Sequence, residues 1–121
     1  PHLVAQNLAV ACPATGNTDL LEVVTLGLSR IAVQLDVTVQ ALDAFIIQAK
    51  FHPGGAFVAL YSAAGDYTSP AGLLVAASGD LTALSAATGW FMLDVTGIYA
   101  IKVLASGAVN NALVDVYAQG A

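Results

Sequence analysis

A period of two in the apolar side chains constrains this chain more than any other feature. In one stretch, every second residue is large and apolar, while Ala, Gln, Asp and Thr stand between: Ile31, Val33, Leu35, Val37 and Val39. Successive side chains of a β-strand point to opposite faces of the sheet, so this alternation predicts a long strand with one buried face. No ten-residue stretch shows a convincing helical spacing of apolar residues. We therefore predict an all-β chain.

The alternation recurs along the chain and predicts about nine short strands. They cover residues 3–11, 21–26, 31–40, 45–51, 57–62, 73–78, 91–95, 99–106 and 114–118. Gly, Pro, Asn and Asp lie between most of them and accept positive φ or preset a turn. Short strands at a spacing of about 8–12 residues favour an antiparallel, jelly-roll-like β-sandwich. We predict one domain over residues 1–121, in which residues 1–18 form an edge strand or an N-terminal arm.

The outward faces of the predicted strands carry unusually few charges. Charged residues make up 9% of the chain and hydrophobic residues 58%, with a formal net charge of −5. An ordinary soluble domain is about one quarter charged. Exposed strand edges are normally protected by charges, proline or a covering element. With so few charges, coverage by other subunits is favoured, so we expect an obligate oligomer or a subunit docked on a larger assembly.

Several classes of partner and structure are disfavoured by the same residues. Arg30, Lys50 and Lys102 are the only Lys and Arg residues, and a nucleic-acid surface needs clustered basic side chains, so we expect no nucleic-acid partner. The longest apolar stretches, such as residues 56–61 and 71–77, are far shorter than the about 20 residues of a spanning helix, so we expect no membrane segment. The single cysteine excludes an internal disulfide.

No arrangement of reactive side chains indicates an enzyme. His2 and His52 are the only histidines, and the chain has no G-x-S-x-G nucleophile turn. Two isolated histidines do not supply the ligands of a zinc site. The carboxylates are spread out, and a weak calcium site would require Asp66 to meet Asp80, or Asp19 to meet Asn17. We predict no catalytic, cofactor-binding or metal-binding residues.

The aromatic residues divide into a core group and a peripheral group. The alternation places Phe45, Phe51, Phe91 and Tyr99 on core faces, whereas Trp90 alternates away from Phe91. Exposed aromatic side chains serve either an oligomer interface or a platform that stacks on sugar rings. The scarcity of charge favours an interface, for which the candidate residues are Trp90, Tyr61, Tyr67, Tyr117 and Phe57.

The C-terminal third resembles a group of small virion proteins from tailed bacteriophages. The run W-F-M-L-D-V-T-G at residues 90–97 precedes an alternating strand at 99–106 and V-D-V-Y-A at 114–118. The closing strands of those proteins follow the same order: a W-hydrophobic-D-V-T-G strand, a Tyr/Ile/Val alternating strand and a final V-x-V-x-A strand. Residues 41–72 are similar to the same group. The likeness is one of strand pattern and includes no reactive signature.

The resemblance implies a subunit that decorates the capsid surface of the virion and cements it. Such proteins are β-sandwiches or jelly rolls, act as homotrimers and bridge neighbouring subunits of the major capsid protein. The group has no catalytic residues, and its N-terminal segment often reaches onto the shell, as residues 1–18 would here. A subunit of a phage tail, baseplate or fibre is one alternative. A carbohydrate-binding β-sandwich module is another, favoured if the aromatics around Trp90 and Tyr67 are exposed in a monomer.

Overall fold

Nine β-strands make up the regular structure of the described part of the chain, residues 2–39, 41–62, 74–77, 89–108 and 111–121 of a computed structural model. The strands are β1 His2–Cys12, β2 Thr18–Val24, β3 Arg30–Thr38, β4 Leu42–Lys50, β5 Val58–Ser62, β6 Leu74–Ala77, β7 Gly89–Asp94, β8 Ala100–Gly107 and β9 Ala112–Gly120. The all-β prediction and the number of strands are confirmed. Within these ranges, no helix is long and apolar enough to cross a membrane.

The strands form two antiparallel sheets that pack as a sandwich. One sheet has five strands in the order β1-β9-β3-β7-β6, and the other has four in the order β2-β8-β4-β5. With β6 set aside and the other strands renumbered along the chain, the orders become 1-8-3-6 and 2-7-4-5. This is the strand order of a jelly roll, an arrangement of two Greek keys. The predicted jelly-roll-like sandwich is therefore confirmed, and β6 extends the β7 edge of the larger sheet.

The core between the sheets is almost entirely aliphatic. In β3, the alternate residues Ile31, Val33, Leu35 and Val37 are buried, and Arg30, Gln34 and Thr38 on the other face are exposed. The same alternation buries Val114, Val116 and Ala118 of β9. Among the described residues, Phe91 of β7 has the largest fully buried side chain. The period-two pattern thus separates the core face from the outer face.

Two of the four aromatic residues assigned to the core are not buried. Phe91 is confirmed, but Phe51 is 55% exposed and Tyr99 is only half-buried. Both lie just outside a strand, since β4 ends at Lys50 and β8 begins at Ala100. The alternation holds only while the backbone is extended, so extrapolating it by one residue was wrong. Phe45 lies in β4, and its side chain is outside the described part of the structure.

Strand β1 forms the outer edge of the larger sheet and pairs with β9 along its whole length. Register shifts between Leu3 and Ala5 and between Asn7 and Val10 interrupt the ladder, and Ala9 has a φ of 53°. Bulges of this kind twist an edge strand and hinder its pairing with another chain. Val4, Ala5 and Val10 still pack against the core.

Two turns at one end of the sandwich have matching backbone conformations and matching hydrogen bonds. Residues 25–28 join β2 to β3, and residues 95–98 join β7 to β8. Gly27 and Gly97 occupy the third position with φ of 88° and 83°, as a type II turn requires. Leu28 N donates to Thr25 O, and Ile98 N donates to Val95 O, both at 2.9 Å. Thr25 N donates to Tyr99 O at 2.8 Å, and Val95 N donates to Ser29 O at 2.9 Å, so the turns also brace one another.

Val39 was predicted to be the last inward-facing residue of its strand, and this is wrong. It lies beyond the end of β3, is 73% exposed and has a φ of 73°. A left-handed backbone is costly for a β-branched residue, whereas Asn adopts it more readily. We expect Val39→Asn to raise the free energy of unfolding by about 1 kcal/mol, measured by urea denaturation at a fixed protein concentration. In the matched control Val58→Asn, at an exposed strand position, the stability should fall or stay unchanged; an equal gain there would contradict the explanation.

Candidate interaction surfaces

The outer face of the five-stranded sheet brings two predicted interface residues together. Gln34 of β3 is paired with Trp90 of β7 on one side and with Tyr117 of β9 on the other. Directly paired residues of antiparallel strands lie on the same face of the sheet. The result is a row of side chains across three strands, aromatic, amide and aromatic, in which Trp90 is 39% exposed.

A shallow trough lies beside this row. In the next row, the small side chain of Ala32 stands between Gln119 and Met92. One depression, about 220 Å³ in volume, is lined by Ala32, Val33, Gln34, Trp90, Tyr117 and Gln119. A second, about 330 Å³ in volume, is lined by Arg30, Ala32, Met92, Gln119, Gly120 and Ala121. Both share Ala32 and Gln119, and we call the two together the trough.

Hydrogen bonds hold several polar groups around the trough. Gln34 Nε2 donates to Asp36 Oδ1 at 3.1 Å, which fixes the orientation of the Gln34 amide. Asp36 is paired with Asp115 on β9, and Asp115 Oδ1 accepts a hydrogen bond from Ala9 N at 2.7 Å. Arg30 is paired with Asp94, so its positive charge is offset locally. The surface around the trough is therefore polar, but it offers no excess of positive charge.

Asp94 at the end of β7 orders the turn that follows it. Its carboxylate accepts a hydrogen bond from Thr96 N at 3.0 Å. That backbone bond, together with the Thr96 hydroxyl and the Arg30 charge, holds the pKa of Asp94 below its ordinary value. The stabilisation is present above the ordinary pKa of 3.8 and is lost as the pH falls through the lower pKa of the folded state.

We expect Asp94→Asn to weaken the pH dependence of stability in acid. As the pH falls from neutral through the ordinary pKa of 3.8 and below it, the melting temperature of the wild-type protein should fall more steeply than that of the variant. The two proteins should differ most near neutral pH. The measurement is a series of thermal unfolding curves by circular dichroism, and parallel curves for the two proteins would contradict the role of Asp94.

The outer face of the four-stranded sheet carries a cluster of cations around Phe57. Lys50 Nζ and Lys102 Nζ lie 5.1 Å and 4.6 Å from the centre of the Phe57 ring. Lys102 Nζ also lies 3.6 Å from a carboxylate oxygen of Asp19 and 3.6 Å from one of Glu22. These contacts hold both lysines close to Phe57, which is half-buried.

Three large apolar side chains are exposed at the end of the sandwich that holds the paired turns. Val24 is 55% exposed, Leu26 is 71% exposed and Phe51 is 55% exposed. Their backbones converge on residues 99–100, because Val24 is paired with Ala100, Leu26 N donates to Tyr99 O, and Tyr99 N donates to Lys50 O. We call these three residues the apolar end. Exposed apolar side chains that form a contiguous patch mark contacts with other proteins, and the convergence of these three backbones makes this end a candidate for such a patch.

The residues that the sequence predicted to form one interface do not lie on one surface of the structure. Trp90 and Tyr117 lie together on the larger sheet, while Phe57 lies on the outer face of the smaller one. Tyr61 belongs to β5, but its side chain is outside the described part, and Tyr67 lies outside it altogether. The interface role of these residues stays a prediction. Sequence reasoning missed the apolar end, although Leu26 between Thr25 and Gly27 shows a large apolar residue in a turn.

Within the described part of the chain, the candidate metal ligands and nucleophiles do not come together in a site. No group of three or more His, Cys, Asp or Glu side chains in the described ranges is placed to hold a metal ion. Asp66 and Asp80 lie outside those ranges, and Asp19 is near Lys102. Cys12 is fully buried, its Sγ donates to Val10 O at 4.0 Å, and burial raises the pKa of the thiol. A buried thiol of this kind is a poor nucleophile.

Comparison with known proteins gives a likeness of fold. No family model matches the chain, and no curated protein sequence matches it. Among solved structures, the chain is similar to the crystal structure of the SPBc2 prophage-derived protein YomS. The TM-score is 0.52 at 11% sequence identity, and the alignment covers 95% of this chain and 94% of the other. Nearly the whole jelly roll described above thus has a counterpart in a protein derived from a prophage.

Proposed function

We propose that this chain is a non-enzymatic structural subunit of a bacteriophage particle, which decorates the capsid as a homotrimer bound to the major capsid protein. The observation that carries the proposal is the apolar end, a group of exposed apolar side chains on a jelly roll with few charges. The prophage origin of YomS supports a phage setting for this fold. The trimer and the capsid partner rest on the resemblance of residues 90–118 to decoration proteins.

The apolar end suits attachment better than the face that bears Trp90. Each of its three side chains exposes more than half of its surface and has no polar group to satisfy. Burying such side chains contributes roughly 25 cal/mol per Å² of apolar surface removed from water. The face of the larger sheet is instead interspersed with amides and carboxylates, including Gln34, Asp36 and Gln119, whose hydrogen bonds with water would have to be replaced.

Attachment of this protein would stabilise the capsid shell by mass action. A protein that binds the assembled lattice but not the free capsid subunits shifts the equilibrium towards the lattice. A trimer that reaches three capsid subunits at once would gain avidity, because the second and third contacts form within a bound complex. Cementing therefore requires only a modest affinity at each contact.

Two measurements test the proposal: the mass of the protein in solution and its binding to capsid shells. Light scattering over a dilution series should give the mass of a trimer at all concentrations. The chain should also sediment with expanded shells of the phage that encodes it, prepared without this protein, and should raise their melting temperature. A trimer that leaves the shells unbound would favour a tail, baseplate or fibre subunit, and a monomer that leaves them unbound would refute the proposal.

A double substitution locates the attachment surface. Leu26→Ser with Phe51→Ser should dissociate the trimer or abolish sedimentation with shells, while the circular dichroism spectrum stays unchanged. Val39→Asn is the matched control, since Val39 is equally exposed but follows the end of β3 away from the paired turns. Normal assembly of the double variant would exclude the apolar end from the interface.

A further inference from the structure

We propose that the trough on the outer face of the five-stranded sheet binds a neutral oligosaccharide. This inference goes beyond capsid decoration and does not depend on it, because it uses a different surface. Trp90, Gln34 and Tyr117 form one side of the trough, and Ala32 forms its floor.

The spacing of the aromatic residues fits a sugar chain. Trp90 and Tyr117 are separated by one intervening strand, so two strand spacings of about 4.8 Å place their backbones about 10 Å apart. That distance is comparable to the length of a disaccharide. The face of an indole or phenol ring packs against the C–H groups on one side of a pyranose.

The polar groups match sugar hydroxyls. A hydroxyl both donates and accepts, and a site for it needs both kinds of partner at fixed positions. Gln34 Nε2 donates to Asp36 Oδ1 at 3.1 Å, and this exposed hydrogen bond favours one orientation of the Gln34 amide. Gln119 supplies a second amide on the opposite side of Ala32 from Met92. Small-molecule sites typically combine an apolar surface with a few oriented polar groups in this way.

The charges around the trough favour a neutral ligand. Asp36, Asp94 and Asp115 lie on this side of the sheet, and among the described residues the only cation lining the trough is Arg30, which is paired with Asp94. An acidic sugar or a phosphate would be repelled by the carboxylates without a compensating cluster of basic residues. A neutral hexose or N-acetylhexosamine chain meets no such barrier.

Trp90 is the single tryptophan of the chain, so its fluorescence reports on this site alone. We would measure acrylamide quenching of Trp90 with cellohexaose, maltohexaose, mannohexaose and N-acetylchitohexaose. Each would be tested at about 10 mM, which detects millimolar affinity. Oligogalacturonate is the anionic comparison. The expected result is that at least one neutral oligosaccharide protects Trp90 and that oligogalacturonate does not. Unchanged quenching with all four neutral sugars would overturn the proposal.

Two variants distinguish a sugar site from an interface between subunits. Ala32→Leu fills the trough, and Gln34→Leu removes the fixed amide, so each should weaken sugar binding about tenfold or more. Leu113→Ser, on the same face but outside the trough, should bind normally. An apolar self-interface would instead be strengthened by Gln34→Leu. A larger mass for that variant, with sugar binding unaffected, would overturn the proposal.

The failure of this inference is separable from the failure of the proposed function. The variant Leu26→Ser with Phe51→Ser should keep its full sugar affinity even if it no longer attaches to shells. Conversely, Gln34→Leu should attach to shells normally. Loss of sugar binding in the first variant would overturn the assignment of the ligand to the trough.

Discussion

Replacing Phe91 with Ala is expected to lower the free energy of unfolding by about 3–5 kcal/mol. Phe91 has the largest fully buried side chain in the described part of the chain and is paired with Val33 on β3, the central strand of the five-stranded sheet. Its removal takes away both the transfer free energy of the ring and the packing contacts of its neighbours, which cannot collapse fully into the space. The expected loss is a large part of the 5–15 kcal/mol that stabilises a typical domain.

The neighbouring residue provides the control for this prediction. Trp90 is similar in size but is 39% exposed on the outer face, so Trp90→Ala should cost less than Phe91→Ala. Unfolding in urea would be followed by circular dichroism, because Trp90→Ala removes the only tryptophan fluorophore. All proteins must be compared at one concentration, since self-association would add to the apparent stability. If the two substitutions cost the same, the assignment of the two faces of β7 would be wrong.

The alternation that distinguishes Trp90 from Phe91 also explains how much of the fold was predictable. In β3, the predicted strand over residues 31–40 corresponds to Arg30–Thr38, and its inward residues are the buried ones. The polarity of each side chain indicates whether it faces the core or the solvent, so the strands and their buried faces can be predicted from the local sequence. The ends of the strands cannot be predicted in this way, because backbone hydrogen bonds determine where the pairing of two strands stops. Phe51 and Tyr99 show that error at the ends of β4 and β8.

The candidate surfaces depend on contacts that the sequence pattern does not contain. Trp90 and Tyr117 become neighbours of Gln34 only because β3 lies between β7 and β9. The hydrophobic pattern fixes which face of a strand is buried, but many strand orders satisfy it equally well. Aromatic residues could therefore be predicted to be peripheral from their phase, while their grouping required the topology. The apolar end has the same origin, since β2, β4 and β8 bring Val24, Leu26 and Phe51 together.

The paired turns lead to the second large effect, which is expected from Thr25→Val. Thr25 is fully buried, and its Oγ1 donates to the carbonyl oxygen of Ile98 at 2.8 Å. Valine has nearly the same shape, so the substitution creates no cavity but removes this donor from a buried carbonyl. The cost of losing a buried hydrogen-bond partner is about 1–3 kcal/mol. We expect a loss of stability in that range, measured by urea denaturation.

The second of the two matching turns supplies the control for Thr25. Val95 occupies the equivalent position in the second turn and is also fully buried, which shows that a valine fits this backbone geometry. Thr25→Ser keeps the hydroxyl and loses one methyl group, which costs about 0.8 kcal/mol, so it should be less harmful than Thr25→Val. If Thr25→Val were as stable as the wild-type protein, the hydrogen bond to Ile98 would contribute nothing, and the two turns would be braced by their backbone bonds alone.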